Sequence, residues 1–193
     1  MDRHFILRSD GVAACLRTVA ASDCENLRTW KNAHRHAFFY QDLISPEEQR
    51  RWFQAYRKRL DDHMFIVVLK ADIGCMGFRR LEGKLDVYNI IRGVPGSGRR
   101  GEMRDALHLM CAYALSRYTC EVGCKVLIDN PAVTWYEGCG FVKRARRETY
   151  YEMVLREDFP RSPFRVEPYQ PGEAGGANFE PGTRPGYREG ERS

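Results

Sequence analysis

The stretch Arg92 to Leu107, RGVPGSGRRGEMRDAL, gathers residue types that suit a phosphate. Gly96, Gly98 and Gly101 let a backbone approach a ligand closely, and Arg99, Arg100 and Arg104 bring full positive charge to the same end. A glycine cluster alone explains only a turn. Here a helical pattern follows it. A helix start leaves backbone N–H groups without intrahelical partners and carries positive partial charge. Gly101, Glu102, Met103 and Arg104 therefore form a corner fit for a pyrophosphate.

Gly96 to Gly101 spells a literal G-x-G-x-x-G. The dinucleotide fingerprint needs its first glycine directly after a strand, at the start of a βαβ unit. Here Arg92-Gly93-Val94-Pro95 intervene, antiparallel strands come first, and too little chain follows for a doubly wound sheet. Asp129, at the end of the next strand, is the one residue that mimics a ribose-binding acid, so a nucleotide-binding oxidoreductase stays as a weak alternative. A Walker A loop is excluded, because Arg99-Arg100 stand where Lys-Ser/Thr must be and no hydroxyl is placed for Mg²⁺.

The elements that position this loop follow from periodicity. Ala14 to Val19 reads as a short strand, and Ser22 or Asp23 caps a helix to about Asn32. Ser45, Pro46 and Glu48 spell a capping box before a second helix with Trp52, Phe53 and Tyr56 on its apolar face. Met64–Leu69, Cys75–Leu81 and Leu85–Ile91 are strands joined by tight turns, hence an antiparallel meander. Alternation puts Asp86 and Tyr88 on one face and Asn89 on the other. Met103 to Arg117 is a helix packed on the sheet, followed by a strand at Lys125–Ile128, a short helix to about Cys139, and strands at Phe141–Lys143 and Tyr150–Leu155. The order is β-α-α-β-β-β-α-β-α-β-β: an α/β (α+β) domain with a mixed, mainly antiparallel central sheet flanked by helices.

The segment Asp129 to Phe141, DNPAVTWYEGCGF, places a strand end, an asparagine, a short helix, a tyrosine and Gly-Phe downstream of the loop helix. Together the two segments resemble the GNAT (Gcn5-related) N-acetyltransferase superfamily, over about Leu16 to Met153. The upstream LRTVAASDCENLRTWKN is similar to the family's opening strand and helix. The capping-box helix resembles a subgroup acting on nucleotide-linked amino sugars and protein N-termini. The family's loop pattern is Q/R-x-x-G-x-G/A; aligned on Ala106-Leu107, Gly98 takes the Gln/Arg position, Gly101 the first glycine and Met103 the Gly/Ala position. Arg99 is placed to stand in for the missing Gln/Arg, and Met103 is bulkier than the pattern expects.

The resemblance implies acetyl-CoA as cosubstrate, no metal, and direct attack of an amine on the thioester. Such chemistry needs a neutral amine, a stabilised oxyanion and a protonated thiolate. Tyr136 matches the general acid; its other reading is a packed core tyrosine. A backbone N–H near Ile90 or Ile91 would serve the oxyanion, and the splayed strand there would pair with the pantetheine arm. Asn130 either binds that arm or caps the helix beside Pro131. Asp86 is either the base or a solvated aspartate. Trp30, His34, His36, Phe38, Phe39, Tyr40 and Tyr88 are candidates for the acceptor pocket, with Phe38 and Phe39 equally at home in a core. The acceptor is a small-molecule amine, an amino sugar among them, or a protein N-terminus. A non-catalytic acyl-CoA-binding module is the alternative from another class.

Length and composition bound the rest. The chain of 193 residues suits one domain, and 43% hydrophobic content supports a core. A net charge of +5 suits an anionic ligand but is too weak to argue for nucleic acid. No apolar run approaches the roughly 18–20 residues that span a bilayer. No signal peptide is evident at MDRHFILRSDG. The 7 cysteines include no CxxC, so reduced, buried thiols in the cytoplasm are expected rather than disulfides or zinc. Residues 1–12 read as an extension and 13–156 as the domain. Residues 157–193, rich in Pro, Gly, Glu and Arg, read as a disordered tail. A monomer or a homodimer fits the pattern equally.

Overall fold

The computed structural model describes residues 4–96 and 101–171. The meander is present: β3 (Asp62–Val68), β4 (Asp72–Leu81) and β5 (Lys84–Arg92) pair antiparallel in succession. Glu82 and Gly83 make the second turn, at φ 49° and 80°, the backbone twist that suits a two-residue hairpin loop. β2 (Cys15–Thr18) pairs with β3 on the other side.

Alternate residues of β3 divide between two cores. Phe65 and Val67 pack with α3 (Glu102–Arg117), whereas Met64 and Ile66 pack with α1 (Cys24–Ala33) and α2 (Pro46–Tyr56). The helices therefore cover opposite faces of the sheet. The capping box of α2 forms as expected: Ser45 Oγ accepts from Glu48 N at 3.2 Å and the Glu48 carboxylate accepts from Ser45 N at 2.8 Å. Asp23 stands at the N-cap of α1, but its side chain makes no capping bond to that helix. It accepts from Ala20 N at 2.8 Å and from Arg17 through both oxygens at 2.7 Å, closing a 3-10 turn over Ala21–Asp23. Arg17 also donates to Asp72 at 2.6 Å, which fastens the entry of α1 to β4.

After α3 come β6 (Val122–Leu127), α4 (Ala132–Gly138), β7 (Phe141–Arg146) and β8 (Tyr150–Leu155). The sheet order is β7-β8-β6-β5-β4-β3-β2-β1-β9, with β5 and β6 its parallel neighbours.

Two expectations about the chain ends are corrected. Inside the supposed extension, β1 (Phe5–Arg8) joins β2; inside the supposed tail, β9 (Arg165–Pro168) joins β1. The physical reason lies in α3, whose stretch Ala106–Leu115 is apolar but for His108 and the Tyr113 hydroxyl, and which buries nine residues. One side meets the sheet, and the other must be covered. The chain after β8 covers it: Phe159 packs on His108 at 5.0 Å and Phe164 on Tyr113 at 5.9 Å. Ion pairs Arg8–Glu167 (2.9 Å) and Arg165–Asp10 (3.0 Å) then fix the edge. The remainder of that tail, 172–193, lies outside the described residues.

Candidate active site

β6 pairs with β5 only through Leu85–Val122 and Asp86–Gly123. Past that point the two parallel strands part, and a cleft of about 670 Å³ opens beside them. Its walls are β5, β6, α1, α2, α4 and the connection after α1, with Met64 of β3 and Cys75 and Arg79 of β4. A depression of about 490 Å³ between α1 and α2 includes no residue of β5 or β6.

Within the cleft, β5 is bulged. Gly77 pairs with Tyr88 and Cys75 with Ile91, so Asn89 and Ile90 together oppose Met76. Asn89 sits at φ 50°, a left-handed conformation that asparagine tolerates better than most residues. The bulge overturns the simple alternation expected for this strand. It sends the Asn89 side chain toward α1, where Oδ1 accepts a hydrogen bond from Lys31 Nζ at 2.6 Å. The Ile90 and Ile91 side chains pack into the two cores. Their backbone is what chemistry can use, and a bulge takes a peptide group out of the ladder there.

The start of α3 is tied to the end of the same strand by Arg92–Glu102, at 3.7 Å. Gly101 stands at the N-cap with φ 120°, a conformation that L side chains rarely adopt. Met103 is 6% exposed and lies in the core, so its side chain points away from the helix start. The bulk that breaks the expected loop pattern is thus harmless to N–H donors. Arg104 is exposed at that end; Ser97, Gly98, Arg99 and Arg100 lie outside the described residues.

Tyr136, on α4, is 8% exposed and lines the cleft. Its ring meets Phe141 edge-on at 5.3 Å. Burial, with the thiols of Cys124, Cys139 and Cys111 adding to it, pushes the phenol well above 10, so it keeps its proton at neutral pH. A proton donor must be protonated, and the same shift makes it a weaker acid.

Comparison with known proteins fits this geometry. The model of the acetyltransferase (GNAT) domain matches residues 14–142. The chain belongs to the GNAT acetyltransferase family. Its fold is similar to that of spermidine N-acetyltransferase from Vibrio cholerae in complex with CoA and spermine. That pair has TM-score 0.63 and 17% identity, over 80% of this chain and 96% of that one. It is also similar to an apo nucleotide-linked sugar GNAT, FdhC, with TM-score 0.63 and 15% identity over 74% and 86% of the chains. A domain from Methanocaldococcus jannaschii gives TM-score 0.63 and 18% identity over 74% and 98%. No curated protein sequence matches the chain.

In this GNAT chain the remaining candidates separate. Asp86 lines the cleft but is ion-paired across β4–β5 with Arg79, both Nε and Nη2 at 3.0 Å from Oδ2. The Tyr88 ring also lines the cleft, while its hydroxyl donates to the buried Asp62 at 2.5 Å. Burial and that carboxylate push the phenol well above 10. Asn130 Oδ1 accepts from Ala132 N at 2.8 Å and its Nδ2 donates to Ala37 O at 2.9 Å. Both contacts are those of a cap and a brace. Phe39 reaches the cleft and leans on Tyr150 at 5.5 Å, and His34, Phe38 and Tyr40 are also in its wall.

Trp30 and His36 are corrections. Trp30 is 7% exposed in the α1–α2 core, pressed so closely on Gly93 that a Cβ there would lie 2.1 Å from its ring. His36 is exposed on a 3-10 turn over Arg35–Ala37 and is not in the cleft wall. Sequence reasoning missed Lys31. Its signal was spacing: Leu27, Lys31 and His34 recur at helical intervals, and all three line the cleft. Among the described residues no group of three or more His, Cys, Asp or Glu is arranged to hold a metal, and no helix is long and apolar enough to cross a membrane.

Proposed function

We propose that this chain transfers the acetyl group of acetyl-CoA to a primary amine of a small molecule or a peptide N-terminus. The observation that carries this reading is the parting of β5 from β6 beyond Asp86, with the Asn89–Ile90 bulge further along β5 and the start of α3 tied to the same strand end. An exposed strand edge accepts the amides of an extended arm, and a helix start accepts a pyrophosphate. Gly101, Glu102, Met103 and Arg104 would hold the phosphates through backbone N–H groups and the Arg104 guanidinium, with Arg99 and Arg100 beside them in sequence. Acetyl-CoA supplies the activated acyl group. The chain supplies orientation between β5 and β6, a peptide N–H at Ile90 or Ile91 to stabilise an oxyanion, and the proton on Tyr136 Oη for the departing thiolate. Asp86 is the candidate acceptor for the amine proton once Arg79 yields it. A cytoplasmic setting suits this chemistry, and the acceptor class includes amino sugars. Acetyl-CoA at millimolar concentration is expected to raise the melting temperature of the purified protein, with NAD(P) as the contrasting probe. Stabilisation by NAD(P) alone would return the dinucleotide reading.

A further inference from the structure

The cleft beside β5 has an uneven balance of charge. Its acids are Glu48, which accepts from Ser45 N at 2.8 Å, and Asp86, held by Arg79 at 3.0 Å; Arg79 and Arg92 share the wall with them. Its cations include Lys31 and Lys125, neither within 4.0 Å of a carboxylate among the described residues. Lys125 lies over the Tyr150 ring at 5.5 Å.

Lys31 is the informative one. It is half-buried, its ammonium lies 3.0 Å from the centre of the Phe38 ring, and among the described residues it donates to Asn89 Oδ1. Burial lowers it to about 8 from the ordinary 10.5. A desolvated ammonium with only a neutral acceptor and an aromatic face costs stability, and a buried charge is ordinarily paired. Among the described residues no carboxylate pairs with it on the cleft side. The amide it uses stands next to Ile90, at the bulge where the proposed acetyl transfer occurs.

We infer that Lys31, steered by Asn89, binds an anionic group of the acceptor, so that the acceptor amine carries a carboxylate or a phosphate and is not a polyamine. The inference rests on the acetyltransferase reading for its reaction, though not for its binding. An anion at Lys31 completes the missing ion pair. A polycation would set its extra ammonium groups against Lys31 and Lys125, in a wall that Arg79 and Arg92 also line. The spermidine enzyme that shares the fold is too distant in sequence to transfer its acceptor.

The test uses four small primary amines that differ in charge: O-phosphoethanolamine, β-alanine, ethanolamine and 1,3-diaminopropane. Acetylation with saturating acetyl-CoA is followed by thiol release, and binding of the same amines without acetyl-CoA is followed by thermal shift. An advantage of roughly tenfold in kcat/KM for at least one anionic amine over ethanolamine is expected, the value of one charge-assisted contact. Lys31→Met should erase that ratio through KM rather than kcat. The wild-type ratio stands without the variant, should Lys31→Met fold poorly. O-phosphoethanolamine against β-alanine tells phosphate from carboxylate. A preference for 1,3-diaminopropane or ethanolamine, or no stabilisation by either anionic amine, overturns the inference and leaves acetyl transfer standing. Stabilisation by an anionic amine with no thiol release from any amine supports the anion site and counts against acetyl transfer.

Discussion

Tyr136, buried, and Lys31, half-buried, are titratable groups in one cleft, and burial acts on them in opposite senses. It raises the phenol and so preserves its proton; it lowers the ammonium and so threatens its charge. Tyr136→Phe removes one oxygen and keeps the edge-on contact with Phe141. The melting temperature should hardly move and CoA affinity should stay, while kcat falls by about 10²–10⁴, the usual worth of a general acid. An unchanged kcat would leave Tyr136 as packing alone and favour the non-catalytic acyl-CoA-binding module. Lys31→Met lays a thioether on the Phe38 ring and removes a charge without a carboxylate partner. The cation–π contact and partial solvation offset some of that charge's cost, so a gain of about 1 kcal/mol at pH 7 is expected. The sign with pH follows from the shift. Wild-type Lys31 is charged in both folded and unfolded states below about 8, and neutral in both above 10.5. Between them the unfolded state binds more protons, so wild-type stability rises with pH and the gap to Lys31→Met should close. Urea titrations from pH 7 to 10 measure it.

At the scale of elements, the sequence carried what local chemistry encodes. Ser45-Pro46-x-Glu48 specifies a helix start by itself, and Glu82-Gly83 specifies a hairpin turn by itself, so both were legible. The Asn89–Ile90 bulge was not. A bulge is a mismatch of count between two strands, and nothing within KLDVYNIIR marks which residue is the extra one. Trp30 was misread for a related reason: an aromatic near a pocket segment looks the same whether it lines the pocket or wedges under Gly93. Met103 shows the converse, a side chain that breaks the family pattern in sequence and is resolved by its direction in space. The start of α3 depends on Gly101 at φ 120°. Gly101→Ala should cost about 1–3 kcal/mol of backbone strain and displace the first N–H groups of the helix. The KM for acetyl-CoA should rise more than that for the acceptor, read from initial rates with each substrate varied in turn. Equal effects on both would mean that the helix start does not face the cosubstrate.

Across the whole molecule, the two chain ends are joined into one edge of the sheet, and the sequence hid this because composition argued against it. Residues after Glu157 are rich in Pro, Gly and charge, which reads as too polar to fold alone. Their described part, residues 158–171, packs on the domain: Phe159 and Phe164 land on α3, and β9 then pairs with β1. The signal was present in α3 itself, where Ala106–Leu115 carries more apolar residues than one sheet-facing stripe needs, which implies a second cover. Deleting the chain after Asp158 should therefore act on stability far from the cleft. It strips Phe159, which is 8% exposed, and the β9 ladder from the core. Loss of one buried phenylalanine alone costs about 3–5 kcal/mol, a large part of the roughly 5–15 kcal/mol that holds a typical domain folded. The urea midpoint should drop, and hydrogen exchange should speed first along α3 and β1. Protection along β4 and β5, which carry the meander and the bulge, should fall only as far as global unfolding requires. Unchanged exchange in α3 would mean that its outer face needs no cover.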